Sequence, residues 1–207
     1  MKKGFQISAV ILDLGGIVFG ISVDRIIESW SKSAKRHPKH LAEKFKVDRY
    51  YELFEIGAIT PDQYREHVCK TLDINLSPEE FDLGWNSIYL DLLPGIEQLL
   101  SQIRQNHRLV ALTNTNAIHA IDWRVRYFDT LKHFEKIFAS HEIKARKPNP
   151  ESFQIVLDYL KISPENAVFF DDNPENVNGA KAIGIHSFVA TSPDQVYEKL
   201  RQINDKF

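Results

Sequence analysis

A short apolar run that ends at an acidic residue and two glycines is the feature that most restricts how this chain can fold. Residues 9–12 are all apolar, Asp13 follows them directly, and Gly15 and Gly16 come next but one. A continuous apolar run of this length is typical of a strand in a parallel sheet that is buried on both faces. Open α/β sheets bind ligands at the carboxyl ends of such strands. Asp13 is therefore either a ligand-binding group or a simple turn former.

Four later apolar segments predict further strands, and amphipathic helices separate them. These segments are residues 108–113, 137–140, 167–170 and 185–189. Strands that alternate with helices imply right-handed crossovers and a parallel sheet. In contrast, the periodicity of residues 19–90 is helical throughout, and no strand is predicted there. We therefore predict an α/β fold: a Rossmann-like parallel sheet core of residues 1–18 and 91–207, interrupted by an all-helical cap of residues 19–90.

Several helix starts carry recognisable capping sequences. Residues 60–63, 77–80 and 192–195 each combine Ser or Thr with Glu or Gln three positions later, and each has proline at the first helical position. This spacing predicts reciprocal capping boxes. Asn173 and Pro174 predict another helix start directly after the fourth strand.

Composition and charge exclude several classes of function. The 207 residues have an ordinary globular composition and a formal net charge of -2, which argues against nucleic acid or an anionic membrane as a partner. The N-terminal residues lack the apolar segment of a signal peptide, and no apolar run is long enough to span a bilayer. Cys69 is the only cysteine, so an internal disulfide is impossible. We expect a cytoplasmic protein; the sequence leaves its oligomeric state open.

Polar groups of distinct kinds follow three of the predicted strands. They are Asp13, the pair Thr113–Asn114 and the pair Asp171–Asp172, and Lys147 lies in a nearby loop. The fold should gather these groups at one sheet edge, where they suit phosphoryl chemistry. Clustered carboxylates bind Mg²⁺, and a lysine adds positive charge to a phosphate. An aspartate can attack phosphorus to give an aspartyl-phosphate.

Each of these residues also has a simpler explanation when taken alone. Thr113–Asn114 is an ordinary turn pair, Lys147–Pro148 suits an exposed loop, and Asp171 to Pro174 reads as a helix N-cap. What favours the functional interpretation is that all of them occur in one chain, in this order, at the ends of predicted strands.

The same residues resemble the motifs of the haloacid dehalogenase superfamily. The segment Ile-Leu-Asp-Leu-Gly-Gly at 11–16 is similar to the nucleophile motif, and Ala-Leu-Thr-Asn at 111–114 to the second motif. Lys147–Pro148 matches the third motif, and Phe-Phe-Asp-Asp-Asn at 169–173 the fourth. The segments 113–116, 146–148 and 169–173 also resemble bacterial sugar phosphatases of the alpha-glucose-1-phosphate phosphatase type. The resemblance covers nearly the whole chain. It implies a Mg²⁺-dependent phosphatase with a helical cap, and the expected substrate is a small phosphorylated metabolite such as a sugar phosphate.

The resemblance also implies roles for individual residues. Asp13 would be the nucleophile and a metal ligand. The backbone carbonyl of Gly15 and the carboxylate of Asp172 would be further ligands of Mg²⁺, with Asp171 as an auxiliary one. The transferring phosphoryl group would be bound by Thr113 and Asn114, and Lys147 would balance its charge.

One position departs from the pattern of the superfamily. Most of its phosphatases carry a second aspartate two positions after the nucleophile, where it acts as general acid and base; this chain has Gly15 there. The glucose-1-phosphate phosphatase type tolerates this glycine. His119 is a candidate for a substitute proton donor. Glycine at this position also keeps a second hypothesis open, a catalytically weak protein that binds a phosphorylated ligand or a protein partner. A signalling receiver domain is disfavoured by the long helical insert.

Overall fold

The computed structural model describes residues 6–203, and in that range it forms seven strands and twelve α-helices. The strands are β1 (Ala9–Leu12), β2 (Phe19–Ile21), β3 (Tyr89–Leu92), β4 (Arg108–Thr113), β5 (Lys136–Ala139), β6 (Ala167–Asp171) and β7 (His186–Val189). The helices are α1 (Val23–Ala34), α2 (Pro38–Lys44), α3 (Arg49–Glu55), α4 (Pro61–Leu72), α5 (Pro78–Asn86), α6 (Ile96–Asn106), α7 (Ala117–Arg126), α8 (Phe128–Leu131), α9 (Ser140–Ile143), α10 (Pro150–Leu160), α11 (Pro174–Ala182) and α12 (Pro193–Ile203).

Five of the strands form one parallel sheet, as predicted. Their order is β5-β4-β1-β6-β7, so β1 lies at the centre, where Ile11 is in register with Val110 of β4 and Phe169 of β6. The fold is therefore α/β with a parallel core. Because all five carboxyl ends share one edge, the residues that follow β1, β4 and β6 are neighbours in space.

Helices cover both faces of the sheet and immobilise its central strand. Val10 and Leu12 of β1 point into a cluster with α6, α7 and α12, whereas Ala9 and Ile11 point into a cluster with α10 and α11. All four side chains are fully buried. Complete burial of an aliphatic side chain contributes about 1.5–3 kcal/mol, so the position of β1, and of Asp13 at its end, is well determined.

The inserted helices α1–α5 have a hydrophobic cluster of their own. Its centre is aromatic: the rings of Trp30 and Trp85 stack with centroids 5.6 Å apart, and Trp30 Nε1 donates to the carbonyl of Phe81. The capping boxes predicted at residues 60–63 and 77–80 are both present. The one predicted at 192–195 is wrong in part, because the Gln195 side chain accepts from Thr191 N instead of Ser192 N. In residues 6–203, none of the helices has the length and apolar character that crossing a membrane requires.

The prediction that residues 19–90 contain no strand is wrong at both ends of that segment. β2 and β3 pair antiparallel, with Phe19 in register with Leu92 and Ile21 with Tyr89. Each strand is very short, and its partner lies about seventy residues away along the chain, so no local pattern announces the pairing. This ribbon forms the two connections between the sheet and the helical insert. The exact domain boundaries, 18/19 and 90/91, stay a prediction.

Candidate active site

The carboxylates that follow β1 and β6 form one cluster at the carboxyl edge of the sheet. Asp13, Asp171 and Asp172 each offer an oxygen within 4.8 Å of those of the other two. Asp171 is the last residue of β6 and is fully buried, whereas Asp172 is partly exposed. The sheet thus brings together two residues that are 158 positions or more from Asp13 in sequence.

Lys147 lies inside this cluster and not in an exposed loop. Its side chain is completely buried, with Nζ 2.9 Å from Asp13 Oδ1 and 2.6 Å from Asp171 Oδ2. Burial lowers the pKa of Lys147, but the charges of Asp13 and Asp171 outweigh burial and raise it above its ordinary value. The ammonium is therefore charged and held beside the expected nucleophile.

Asp171 is occupied by protein donors on both of its oxygens. Besides Lys147, it accepts a hydrogen bond from Asn173 N at 2.8 Å and contacts from Asn176 Nδ2 at 3.1 Å to each oxygen. Asp171 therefore holds Lys147 and also binds the N-cap backbone and the first turn of α11. The sequence analysis missed Asn176, because one asparagine in the first turn of a helix carries no distinguishing signal.

Asn114 also acts on Lys147, through the backbone. Its amide Nδ2 donates to the carbonyl of Lys147 at 2.9 Å, and its Oδ1 accepts from Lys147 N at 2.9 Å. Sequence analysis expected Asn114 to bind a phosphoryl group, but its side chain is engaged with the lysine loop. Thr113, the last residue of β4, is buried at the cavity that adjoins the cluster.

The turn after β1 positions Asp13 and leaves room for Asp172. Leu14 N donates to Asp13 Oδ1 at 2.7 Å. Gly16 has a φ of +75°, and a Cβ on it would lie only 2.4 Å from Asp172 Oδ2. A side chain at Gly16 would therefore strain the backbone and displace the Asp172 carboxylate. Gly15 differs, since its nearest neighbour would be the Ile21 side chain, at an ordinary 3.4 Å.

The donor set fits a hard divalent cation. Three carboxylates face a single ammonium group, which leaves two formal negative charges uncompensated within the cluster. Burial raises the pKa of Asp13 to about 7, and burial together with the charge of Asp171 raises the pKa of Asp172. Oxygen ligands and excess negative charge are what Mg²⁺ requires. The open carboxylate is Asp172, because Asp171 is committed to Lys147 and Asn176.

A cavity of about 120 Å³ lies between the cluster and the helical insert. It is lined on the sheet side by the cluster and Thr113, and on the other side mainly by aromatic and polar residues. The residues around it are Asp13, Gly15, Phe19, Ile21, Tyr51, Glu55, Ile88, Tyr89, Thr113, Asn114, Thr115, His119, Trp123 and Asp172. This volume can hold a small chemical group such as a phosphoryl group.

His119 borders the cavity as a neutral imidazole. Its ring stacks on Trp85 with centroids 4.6 Å apart, and Nδ1 lies 3.0 Å from Asn86 Oδ1. Burial lowers the pKa of His119 to about 3. This low pKa argues against His119 as the proton donor suggested by the sequence, because almost no imidazolium is present near neutral pH.

Several known proteins resemble this chain in sequence and in fold. The profile of the haloacid dehalogenase-like hydrolases matches residues 7–184. A D-ribitol-5-phosphate phosphatase of Bacteroides thetaiotaomicron is 21% identical over 88% of this chain and 91% of the relative. A phosphorylated carbohydrates phosphatase of Thermotoga maritima is 30% identical, over 54% of this chain and 48% of its own length. A Bacteroides thetaiotaomicron enzyme of the same family, crystallised with magnesium and inorganic phosphate, superposes with a TM-score of 0.77 at 29% identity, covering 88% of this chain and 93% of that one.

Proposed function

Because the chain belongs to the haloacid dehalogenase-like hydrolases, we propose that it is a Mg²⁺-dependent phosphatase of a small phosphorylated carbohydrate. Support for the substrate class comes from the relatives, two of which are named for phosphatase activity on phosphorylated sugars or polyols. Support for the cation comes from the related enzyme that was crystallised with magnesium and phosphate. The finer resemblance to alpha-glucose-1-phosphate phosphatases stays a prediction.

The observation that carries the proposal is the contact between Asp13 and Lys147. A buried ammonium 2.9 Å from a carboxylate at the open edge of a sheet keeps that carboxylate oriented beside a positive charge. Both the Lys147 contact and the Leu14 N–H reach Oδ1 of Asp13, so we assign Oδ2 to the attack on phosphorus.

The reaction proceeds in two displacements. Asp13 Oδ2 forms a bond to phosphorus, the bond from phosphorus to the carbohydrate oxygen breaks, and the electron pair leaves with that oxygen. The leaving oxygen takes a proton from solvent water. A second water molecule then forms a bond to phosphorus, and the bond from phosphorus to Asp13 Oδ2 breaks. Inorganic phosphate leaves, the Asp13 carboxylate is restored, and the proton of the attacking water returns to the solvent. Lys147 balances the negative charge on the phosphoryl oxygens throughout. Thr113 lines the cavity at this point and can donate its hydroxyl to the same oxygens.

Asp13, Asp172 and the Gly15 carbonyl would hold Mg²⁺, with Asp171 supporting the site through Lys147. When bound, the cation offsets the negative charge of the carboxylates and of the phosphate, so that a carboxylate can approach a phosphate at all.

A second candidate function is binding of a phosphorylated ligand without efficient turnover. Gly15 favours it, because that position offers no proton for the leaving oxygen. The neutral His119 does not fill this gap. The intact Asp13, Lys147 and Asp172 favour the enzyme.

A panel of phosphorylated carbohydrates, assayed with Mg²⁺ and with excess chelator, separates the two functions. We expect Mg²⁺-dependent phosphate release by the wild-type protein. Asp13→Asn, which keeps the size of the side chain, should lower it by about 10³-fold or more, as removal of a nucleophile does elsewhere. Ligand binding without release of phosphate across the panel would favour the second function, and activity near wild type in Asp13→Asn would exclude the covalent route.

A further inference from the structure

The helical insert contributes one carboxyl group to the cavity. Glu55 is the last residue of α3, is only 4% exposed, and lines the cavity together with Asp13 and Asp172. The last two belong to the carboxylate cluster, whereas Glu55 lies on the opposite side. None of the roles assigned above uses it, and a carboxyl group so deeply buried needs a partner.

Glu55 has two such partners, the phenol of Tyr51 and the guanidinium of Arg146, the residue before Lys147. Arg146 Nε donates to Glu55 Oε2 at 2.8 Å, and Nη1 lies 3.6 Å from Oε1 of Glu52, one turn earlier on α3. Burial raises the pKa of Glu55, while the charge and hydrogen bond of Arg146 act against that rise. Glu55 and Arg146 therefore form a charge pair between the insert and the sheet, directly beside the phosphoryl site.

This pairing removes the attraction that Arg146 would otherwise exert on an anion. Guanidinium groups are the preferred partners of carboxylates and phosphates, and an unpaired one at this place would draw in a substrate with a second negative charge. Four other residues that line the cavity are uncharged: Tyr51, Tyr89, Thr115 and His119. These four residues therefore offer no positive charge to an anionic group of the substrate.

We propose that Glu55 is the specificity residue of the cap side and that it selects phosphomonoesters with a neutral, hydroxylated leaving group over those with a second anionic group. The Glu55 carboxylate compensates Arg146 and accepts hydrogen bonds from substrate hydroxyls. This inference rests on the proposed phosphatase function and narrows its substrate class.

Two substrates that differ at one carbon test the proposal. Glycerol 3-phosphate ends in a neutral CH₂OH group, and 3-phosphoglycerate carries a carboxylate in its place. We expect the wild-type protein to prefer glycerol 3-phosphate in kcat/KM. Glu55→Gln keeps the shape of the side chain, removes its charge and leaves Arg146 undercompensated, so this preference should fall by about tenfold or more, through a lower KM for 3-phosphoglycerate.

Glu52→Gln is the matched control. It removes the same charge from the same helix and affects the same arginine, but Glu52 is 40% exposed in its side chain and does not line the cavity. Its substrate preference should stay within about twofold of wild type, as expected for an exposed ion pair. An equal change of substrate preference in both variants would show that the Glu55–Arg146 pair only stabilises the contact between the helical insert and the sheet, and would overturn the proposal.

A variant with the opposite charge change keeps the test valid if Glu55→Gln folds poorly. Arg146→Met leaves Glu55 uncompensated, so the preference for glycerol 3-phosphate should rise. An unchanged preference in an active Glu55→Gln or Arg146→Met protein refutes the role of Glu55 alone. Absence of phosphatase activity in the wild type, on these esters and on the wider panel, would instead refute the function on which it rests.

Discussion

Lys147 Nζ lies 2.6 Å from Asp171 Oδ2, and neither side chain is exposed to solvent. The pair explains how a lysine from the loop after α9 reaches the end of β1, 134 positions away in sequence. Asp171 draws the ammonium in from one side, and Asn114 fixes the backbone of the same lysine from the other. The charge beside Asp13 is thus held in place before any substrate arrives.

Replacement of Asp171 should therefore reduce stability, whereas replacement of Asp172 should affect Mg²⁺ binding and activity. Asp171→Ala leaves Lys147 with one carboxylate fewer and Asn176 without its acceptor. We expect a loss of about 3–5 kcal/mol in the free energy of unfolding, the cost of breaking a buried charge pair. Asp172→Asn should change stability little, but it should weaken Mg²⁺ binding and lower activity together. Denaturant unfolding and a Mg²⁺ titration of activity measure the two effects, and equal stability losses would contradict this division of roles.

Because position 15 is a glycine and supplies no general acid, the rate of hydrolysis should depend steeply on the acidity of the leaving group. A positioned general acid is worth about 10²–10⁴ in rate, and substrates with acidic leaving groups lose least without it. Sugar 1-phosphates should therefore be hydrolysed faster than the matching 6-phosphates. The site leaves room for the Cβ of Gly15→Asp, which would meet only the Ile21 side chain, at 3.4 Å. It should raise the hydrolysis of alkyl phosphates most and so flatten the dependence. A wild-type rate that is independent of leaving-group acidity, with chemistry rate-limiting, would show that another group supplies the proton.

In contrast to Gly15, Gly16 should not tolerate a side chain without loss of activity. Gly16→Ala must accommodate a φ of +75° and a Cβ 2.4 Å from Asp172 Oδ2. The backbone strain costs about 1 kcal/mol, and a shift of Asp172 by about 1 Å is enough to lower activity by about 10²-fold. Gly15→Ala, which has space and an unstrained backbone, is the control. Comparable kcat/KM values in the two alanine variants would refute the close fit of Asp172 against this turn.

Because His119 is buried, the free energy of unfolding should depend on pH, whereas catalytic proton transfer should not involve this residue. Its pKa in the folded protein is about 3, below the ordinary 6.5, so the unfolded chain binds a proton first. The stabilisation is complete above about pH 6.5 and is lost as the pH falls toward the folded value. Wild type should lose about 2 kcal/mol through this group between about pH 7 and pH 5. His119→Gln should lose correspondingly less, while the shape of the pH profile of kcat/KM stays the same. A changed profile would assign His119 a catalytic proton.

The sequence by itself determined the parallel strands, the order of the chemical groups and their place in the chain. Residues 9–12 and 167–170 are continuous apolar runs, and such runs are buried in any compact fold, so their ends could be placed without coordinates. Asp13 and Asp172, which follow these runs, lie at one edge of the sheet because parallel strands have their carboxyl ends at the same edge. The family, the fold and the cation could be predicted from the sequence, because each depends on local pattern and on the order of motifs.

Only the tertiary structure decided which partner each group has. It paired β2 with β3 across the insert, turned the Asn114 side chain to the Lys147 backbone, and placed Glu55 of α3 against Arg146. It also buried His119 against Trp85, which removed its charge. The physical reason is common to all of these: hydrogen bonds and pKa values depend on distances and solvent exclusion between segments far apart in the chain, and local periodicity carries no information about them.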